Sequence, residues 1–167
     1  MAYTVFRSDL MSGTDVGADL VSVKYFDGTD PADIENGSVV KLDGLIDGER
    51  EIWKGITPSK DTPLEEVVIL GAPELHYDER KKNLDEFINK ADVATRGYIP
   101  RTRNIFSVTK DGLIGKANPD VGDIVELADG TKLNVAAALT SGSTKVGEII
   151  QVEETNRYTY YVVRIGE

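Results

Sequence analysis

Cysteine is absent from the 167 residues. That removes disulfide frameworks, thiolate zinc sites and thiol nucleophiles, and leaves the redox compartment undetermined. Histidine occurs once, as His76, so transition-metal sites that draw three or four ligands from His, Cys and carboxylates have little to build on. No apolar run approaches the roughly 20 residues needed to cross a bilayer. The opening stretch "MAYTVFRSDLMSGTD" lacks the charged region and apolar core of a signal peptide. The expectation is synthesis in the cytoplasm, no encoded exit route and no membrane partner. Phosphate-cradling loops are missing too: neither G-x-x-x-x-G-K-[ST] nor a G-x-G-x-x-G between strand and helix occurs. Basic charge is outnumbered, 19 Lys and Arg against 29 Asp and Glu for a net charge of −10. The acidic residues are scattered, which predicts solubility and weak affinity for other polyanions, nucleic acid included.

What is present suffices for a core. At 40% hydrophobic residues, a chain of this length can bury roughly 70% of the surface that its unfolded form exposes. Its stability must then come from packing. Residues 1–37 mix short β-prone pieces, "YTVF" and "LVSVKYF", with Gly, Asp, Ser and Thr, and cannot bury a continuous face alone. They read as an extended N-terminal arm, with an ordinary edge strand as the alternative. Residues 38–167 read as a β-rich body. Within it, 38–77 carries "SVVKLDGL", "EREIWKGITP" and "EEVVILGAPELHY", three alternating or apolar runs parted by turn residues, which predict a β-meander.

One short helix is expected over 78–92, as a connector. In "DERKKNLDEFINKAD", Leu84, Phe87 and Ile88 share a helical face, and Asp78 can cap the first turn. From 95 to 167 the chain returns to strands. "GDIVELADGTKLNV" reads as a hairpin around a two-residue Asp-Gly turn. "VGEIIQVEETNRYTYYVVRIG" reads as a closing pair that turns near Thr155 and Asn156. Short strands in this number must close or stack to hide their edges, so the C-terminal half is expected to form a small β-barrel or sandwich. The fold class is mainly β.

Candidate chemistry is sparse. His76 stands beside Tyr77, Asp78, Glu79 and Arg80, the make-up of a general base with a carboxylate orienter. The same residues also describe a strand-end histidine half covered by Tyr77. Asp27, Asp30 and Asp33 share a loop but lack the spacing of a calcium-binding EF-hand, so a solvated turn is the better account. No catalytic set, cofactor or metal is assigned. The one basic spot, "RGYIPRTRNIF", interleaves Arg96, Arg101 and Arg103 with Tyr98 and Phe106. Such a mixture suits single-stranded nucleic acid, but the net charge opposes that, and Arg and Tyr also anchor protein interfaces.

Three segments, "FRSDLMSGTDVGADLVSVKY" (6–25), "IENGSVVKLDGLIDGEREIWKGITP" (34–58) and "LHYDERKKNLDEFINKADVATRGYIPRTRNIFSVT" (75–109), together with the closing strands, resemble small proteins encoded in the head-gene region of tailed phages and prophages of Gram-positive bacteria. The resemblance implies a virion component on the capsid exterior: a decoration (cement) protein, or the base of a head fibre, bound to the major capsid protein. It brings no catalytic residues. Capsid symmetry makes a trimer the natural homo-oligomer. The arm could add a strand to a capsid sheet, which singles out Phe6, Arg7, Leu10, Val21 and Tyr25, with Arg96, Tyr98, Arg101 and Arg103 as a second contact. Two other classes stay open. One is a carbohydrate-binding or host-adhesion module with Trp53 or Tyr158, Tyr160 and Tyr161 as its platform, and the other is a hydrolase using His76.

Overall fold

The computed structural model describes residues 2–7, 19–76, 80 and 83–166. The protein is mainly β, built from a curled sheet packed on a second one. The strands are β1 (Phe6–Arg7), β2 (Leu20–Asp27), β3 (Asp30–Pro31), β4 (Val39–Leu45), β5 (Ile52–Ile56), β6 (Val67–Leu70), β7 (Thr95–Tyr98), β8 (Ile105–Thr109), β9 (Leu113–Gly115), β10 (Ile124–Glu126), β11 (Leu133–Ala136), β12 (Lys145–Glu154) and β13 (Thr159–Ile165). Seven form one sheet in the order β1-β8-β13-β12-β10-β11-β9, and six form the other in the order β3-β2-β5-β4-β6-β7.

In the six-stranded sheet β2 pairs with β5 on one side, in parallel, and with β7 on the other, antiparallel. That second pairing closes β2, β5, β4, β6 and β7 into a ring, which removes the free edges that a sheet of this size would otherwise present. A five-strand ring has little interior volume, and the residues facing inward are correspondingly small. Val23, Val40, Val68 and Leu70 fill it, and glycines stand where β5 and β7 point in. A Cβ on Gly97 would lie 3.1 Å from Val21 Cγ2 and from Val23 Cγ2.

Alternation along β4 and β6 joins the two sheets. Val40, Val68 and Leu70 face into the ring. Val39, Val67 and Ile69, one residue out of phase, belong instead to the larger core with Phe106, Val108, Leu133 and Val163 of the seven-stranded sheet. β6 is therefore buried on both faces, which is why its sequence, VVIL, does not alternate. Backbone bonds reinforce the junction, from Val39 N to Thr131 O (2.8 Å) and from Thr144 N to Lys60 O (2.7 Å).

Several expectations are corrected by this arrangement. Residues 20–31 are no free arm: β2 sits between two neighbours in the ring, and β1 pairs with β8 in the other sheet. The run 38–77 is not a meander in spatial order, because β4 lies between β5 and β6. β7 belongs with the six-stranded sheet, not the seven-stranded one that holds the rest of the C-terminal strands. The described part of 78–92 holds a single 3₁₀ turn, Leu84–Glu86, in place of a helix. Asn83 and Glu86 close a reciprocal capping box around that turn, and Phe87 then leaves in extended conformation (φ −85°, ψ 137°). An isolated helix of this length is marginal, and the paired backbone bonds between Ile34 and Asn89, both 2.9 Å, hold the segment extended. Asp78 lies outside the described residues. The hairpin β10–β11 and the closing pair β12–β13 form as expected, the latter turning at Thr155 to Tyr158. The β10–β11 turn is longer than two residues, because Leu127 is drawn into the core and its amide bonds to Thr144 O at 2.9 Å.

Candidate partner-binding groove

The residues singled out in sequence are placed differently from one another. Phe6 and Tyr98 are core residues, 6% and 4% exposed. The Phe6 ring lies 6.2 Å from that of Tyr98 and 5.7 Å from that of Phe106, so neither side chain is available to a partner. Arg7, Tyr25 and Arg101 are engaged within the chain. Arg7 pairs with Glu153 at 3.1 Å over the Tyr160 ring, Tyr25 Oη shares a hydrogen bond with Thr57 Oγ1 at 2.8 Å, and Arg101 pairs with Asp19 at 2.9 Å. Val21 is half-buried towards the ring interior. Arg96 and Arg103 are exposed. Leu10 lies outside the described residues.

The aromatic platform imagined around the arginines does not form, because Phe106 and Tyr98 face the core. Nor do the three tyrosines make one surface. The Tyr158 and Tyr160 rings lie 6.0 Å apart and tilted at 57°, whereas Tyr161 packs against the larger core. Trp53 is half-buried against the small core of the ring. His76 hydrogen-bonds with Asn83 O at 2.9 Å and packs edge-on against Phe87. Asp33 is held by Lys90 at 2.7 Å and by the Ala91 amide at 2.8 Å; the Lys90 bond and then the Ala91 bond hold its carboxyl below the usual aspartate range. Among the described residues no three His, Asp or Glu come together to hold a metal ion.

Arg96 is placed differently. On the outside of the ring, β2 and β7 set Leu20 beside Tyr98 and Ser22 beside Arg96. A hollow of about 430 Å³ opens over this pairing, walled by Ala72, Pro73 and Ala94, and a smaller one of about 130 Å³ adjoins it over Gly71, Glu74 and Tyr98. Arg96 lines both. Its Nη1 donates a long hydrogen bond to Tyr98 Oη at 3.5 Å. Among the described residues no carboxylate lies within ion-pair distance of Arg96, whereas Arg101, Lys116, Arg157 and Arg164 each have one.

The wall is positioned by a buried amide network. Asn89 Nδ2 donates to Ile34 O (3.1 Å) and Asn36 Oδ1 (2.9 Å), and Thr95 Oγ1 donates to Asn89 Oδ1 (2.8 Å). Asn36 in turn donates to Ala72 O (2.8 Å) and Glu74 Oε1 (3.0 Å) and accepts from the Ala72 amide (3.0 Å). The Asn36, Asn89 and Thr95 side chains are nearly inaccessible and partnered, and through them 72–74 is tied to the strands beside it. Sequence reasoning named Arg96 and Val21 here but missed Leu20, Ser22, Pro73 and Ala94. The β2–β7 pairing that unites them spans more than 70 residues and leaves no local signal.

No protein-family model, no curated protein and no solved structure matches this chain.

Proposed function

We propose that the protein is a non-enzymatic structural component of a tailed-phage head that binds and stabilises the outer surface of the capsid, with the major capsid protein as its partner and a trimer as its working form. The resemblance of its segments to phage head-region proteins supports this reading. The observation that carries it is the groove at Arg96: a rigidly framed, exposed cation without a carboxylate among the described residues, in a chain of net charge −10. Rigid framing lowers the ordering cost of association, which suits a protein that docks on a preformed lattice.

The reading is tested on the particles themselves. Virions released from a host carrying the gene should contain the protein in a fixed ratio to the major capsid protein, and washing at moderate salt should leave it in place. Particles that lack it while the free protein accumulates in the lysate would sink the proposal.

A further inference from the structure

We infer that the groove at Arg96 takes an extended segment of a protein partner that presents one carboxylate flanked by small apolar residues. This deepens the function proposed above and rests on it for the partner's identity, though not for the chemistry of the site. Three features point to that occupant. The walls, Ala72, Pro73 and Ala94, are small and apolar, which admits a backbone with short side chains. Among the described residues Arg96 is the single cation lining either hollow, so it matches one carboxylate. Glu74 Oε1, the acidic neighbour in the smaller hollow, is tied to the Asn36 amide at 3.0 Å. A polyanion such as nucleic acid would meet one cation and a net charge of −10, a combination that repels it.

The backbone that carries the guanidinium is fixed. Arg96 lies on a strand paired on both sides, by β2 and β6, with the hydroxyl of buried Tyr98 3.5 Å from its Nη1. The main chain at the site therefore need not be ordered on binding.

The probe is the pentapeptide acetyl-Ala-Val-Asp-Ala-Ala-amide and its Asn counterpart, titrated into the ¹⁵N-labelled full-length protein. The Asp peptide at millimolar concentration should shift the amides of Ser22, Ala94 and Arg96. The Asn peptide should bind about fivefold more weakly, the ratio expected for an ion pair at a solvent edge. Arg96→Gln, whose dispersed spectrum reports an intact fold, should abolish the difference between the two. Equal shifts from both peptides, or none at these amides, overturn the inference. Shifts at Arg96 that grow with protein concentration alone make the occupant a second copy, and overturn it too. In parallel, wild type, Arg96→Glu and the distant Arg50→Glu are sedimented with capsids stripped of the protein. Loss of binding in Arg96→Glu alone supports the site. Binding by all three removes the groove and leaves the capsid function standing. No binding even by wild type removes the capsid function, and the peptide titration then decides the groove.

Discussion

Gly55 lies so close to Val23 of the neighbouring strand β2 that a Cβ on Gly55 would stand 2.7 Å from Val23 Cγ1 and 3.1 Å from Val40 Cγ2. Neither valine can retreat, since both are fully buried. Gly55→Ala should therefore destabilise the fold by about 1–3 kcal/mol through overpacking. Val23→Ala in the same chain should recover part of that loss, because it vacates the space the new methyl needs. Chemical denaturation of the single and double variants measures the coupling, and strict additivity would contradict this close packing.

Glu126 is 1% exposed. Its carboxylate accepts the Asn134 amide at 2.7 Å and the Thr140 backbone amide at 2.8 Å. Burial pushes its pKa up, but the Thr140 hydroxyl and amide and the Asn134 amide together hold it below the usual glutamate range. In Glu126→Gln one amide group must turn its donors towards Thr140 or Asn134, leaving a buried donor unpaired. A loss of about 1–3 kcal/mol is expected, measured as a lowered urea midpoint at unchanged slope.

Asp123 behaves alike. Burial raises its pKa, but the Lys116 ammonium at 2.8 Å and the Asp120 amide at 2.7 Å outweigh it, and the net direction is down. Both carboxyls thus titrate lower in the folded chain than in the unfolded one, and protonation favours unfolding. Their stabilisation is complete above the ordinary carboxylate range, about pH 4, and is lost as pH falls through the lowered folded values. Urea midpoints should drop on acidification across that window. The fall should be shallower in the double variant Asp123→Asn, Glu126→Gln; an equal slope would remove these two groups from the acid sensitivity.

β9 forms one edge of the seven-stranded sheet. The Lys110 ammonium lies over it and donates to Leu113 O (3.3 Å) and Lys116 O (2.9 Å). A lysine at this place blunts an edge that could otherwise pair with another chain. Lys110→Met should raise concentration-dependent self-association in analytical ultracentrifugation while leaving the far-ultraviolet circular dichroism unchanged. An unaltered sedimentation profile would show that the ammonium guards nothing.

Phe6 packs between Tyr98 and Phe106 and bridges the two sheets. Phe6→Ala should cost about 3–5 kcal/mol. Deleting residues 1–30, the natural test of a capsid-binding arm, removes β1 and β2 and should abolish the cooperative thermal transition. A truncated chain that still melts cooperatively would mean that β2 is dispensable to the ring.

The seven-stranded sheet was legible where its pairings are local. β10–β11 and β12–β13 are joined by short connections, and their alternation of Val, Ile and Tyr with polar residues names both the strands and the core face. The ring was not. β2 finds β5 some 30 residues on and β7 some 75 residues on, by main-chain bonds to which no local pattern points, so a central strand read as a spare arm. Leu84, Phe87 and Ile88 have helical spacing, but Phe87 leaves the turn in extended conformation and a non-local bridge at Asn89 holds the segment that follows. At the groove, Arg96 was visible as a cation among aromatics. Its isolation from carboxylates was not, because Arg101, five residues on in sequence, found Asp19 and Arg96 found none among the described residues.

The seam between β2 and β7 fixes an order of events at the ribosome. β2 is made early, yet its second neighbour is complete only when Tyr98 has been added. Until then the nascent chain carries an open seam, and ring closure must wait for a contact of long sequence separation, the kind that slows folding to milliseconds or seconds. For that interval the unpaired side of β2 is open to mispairing with a neighbouring nascent chain.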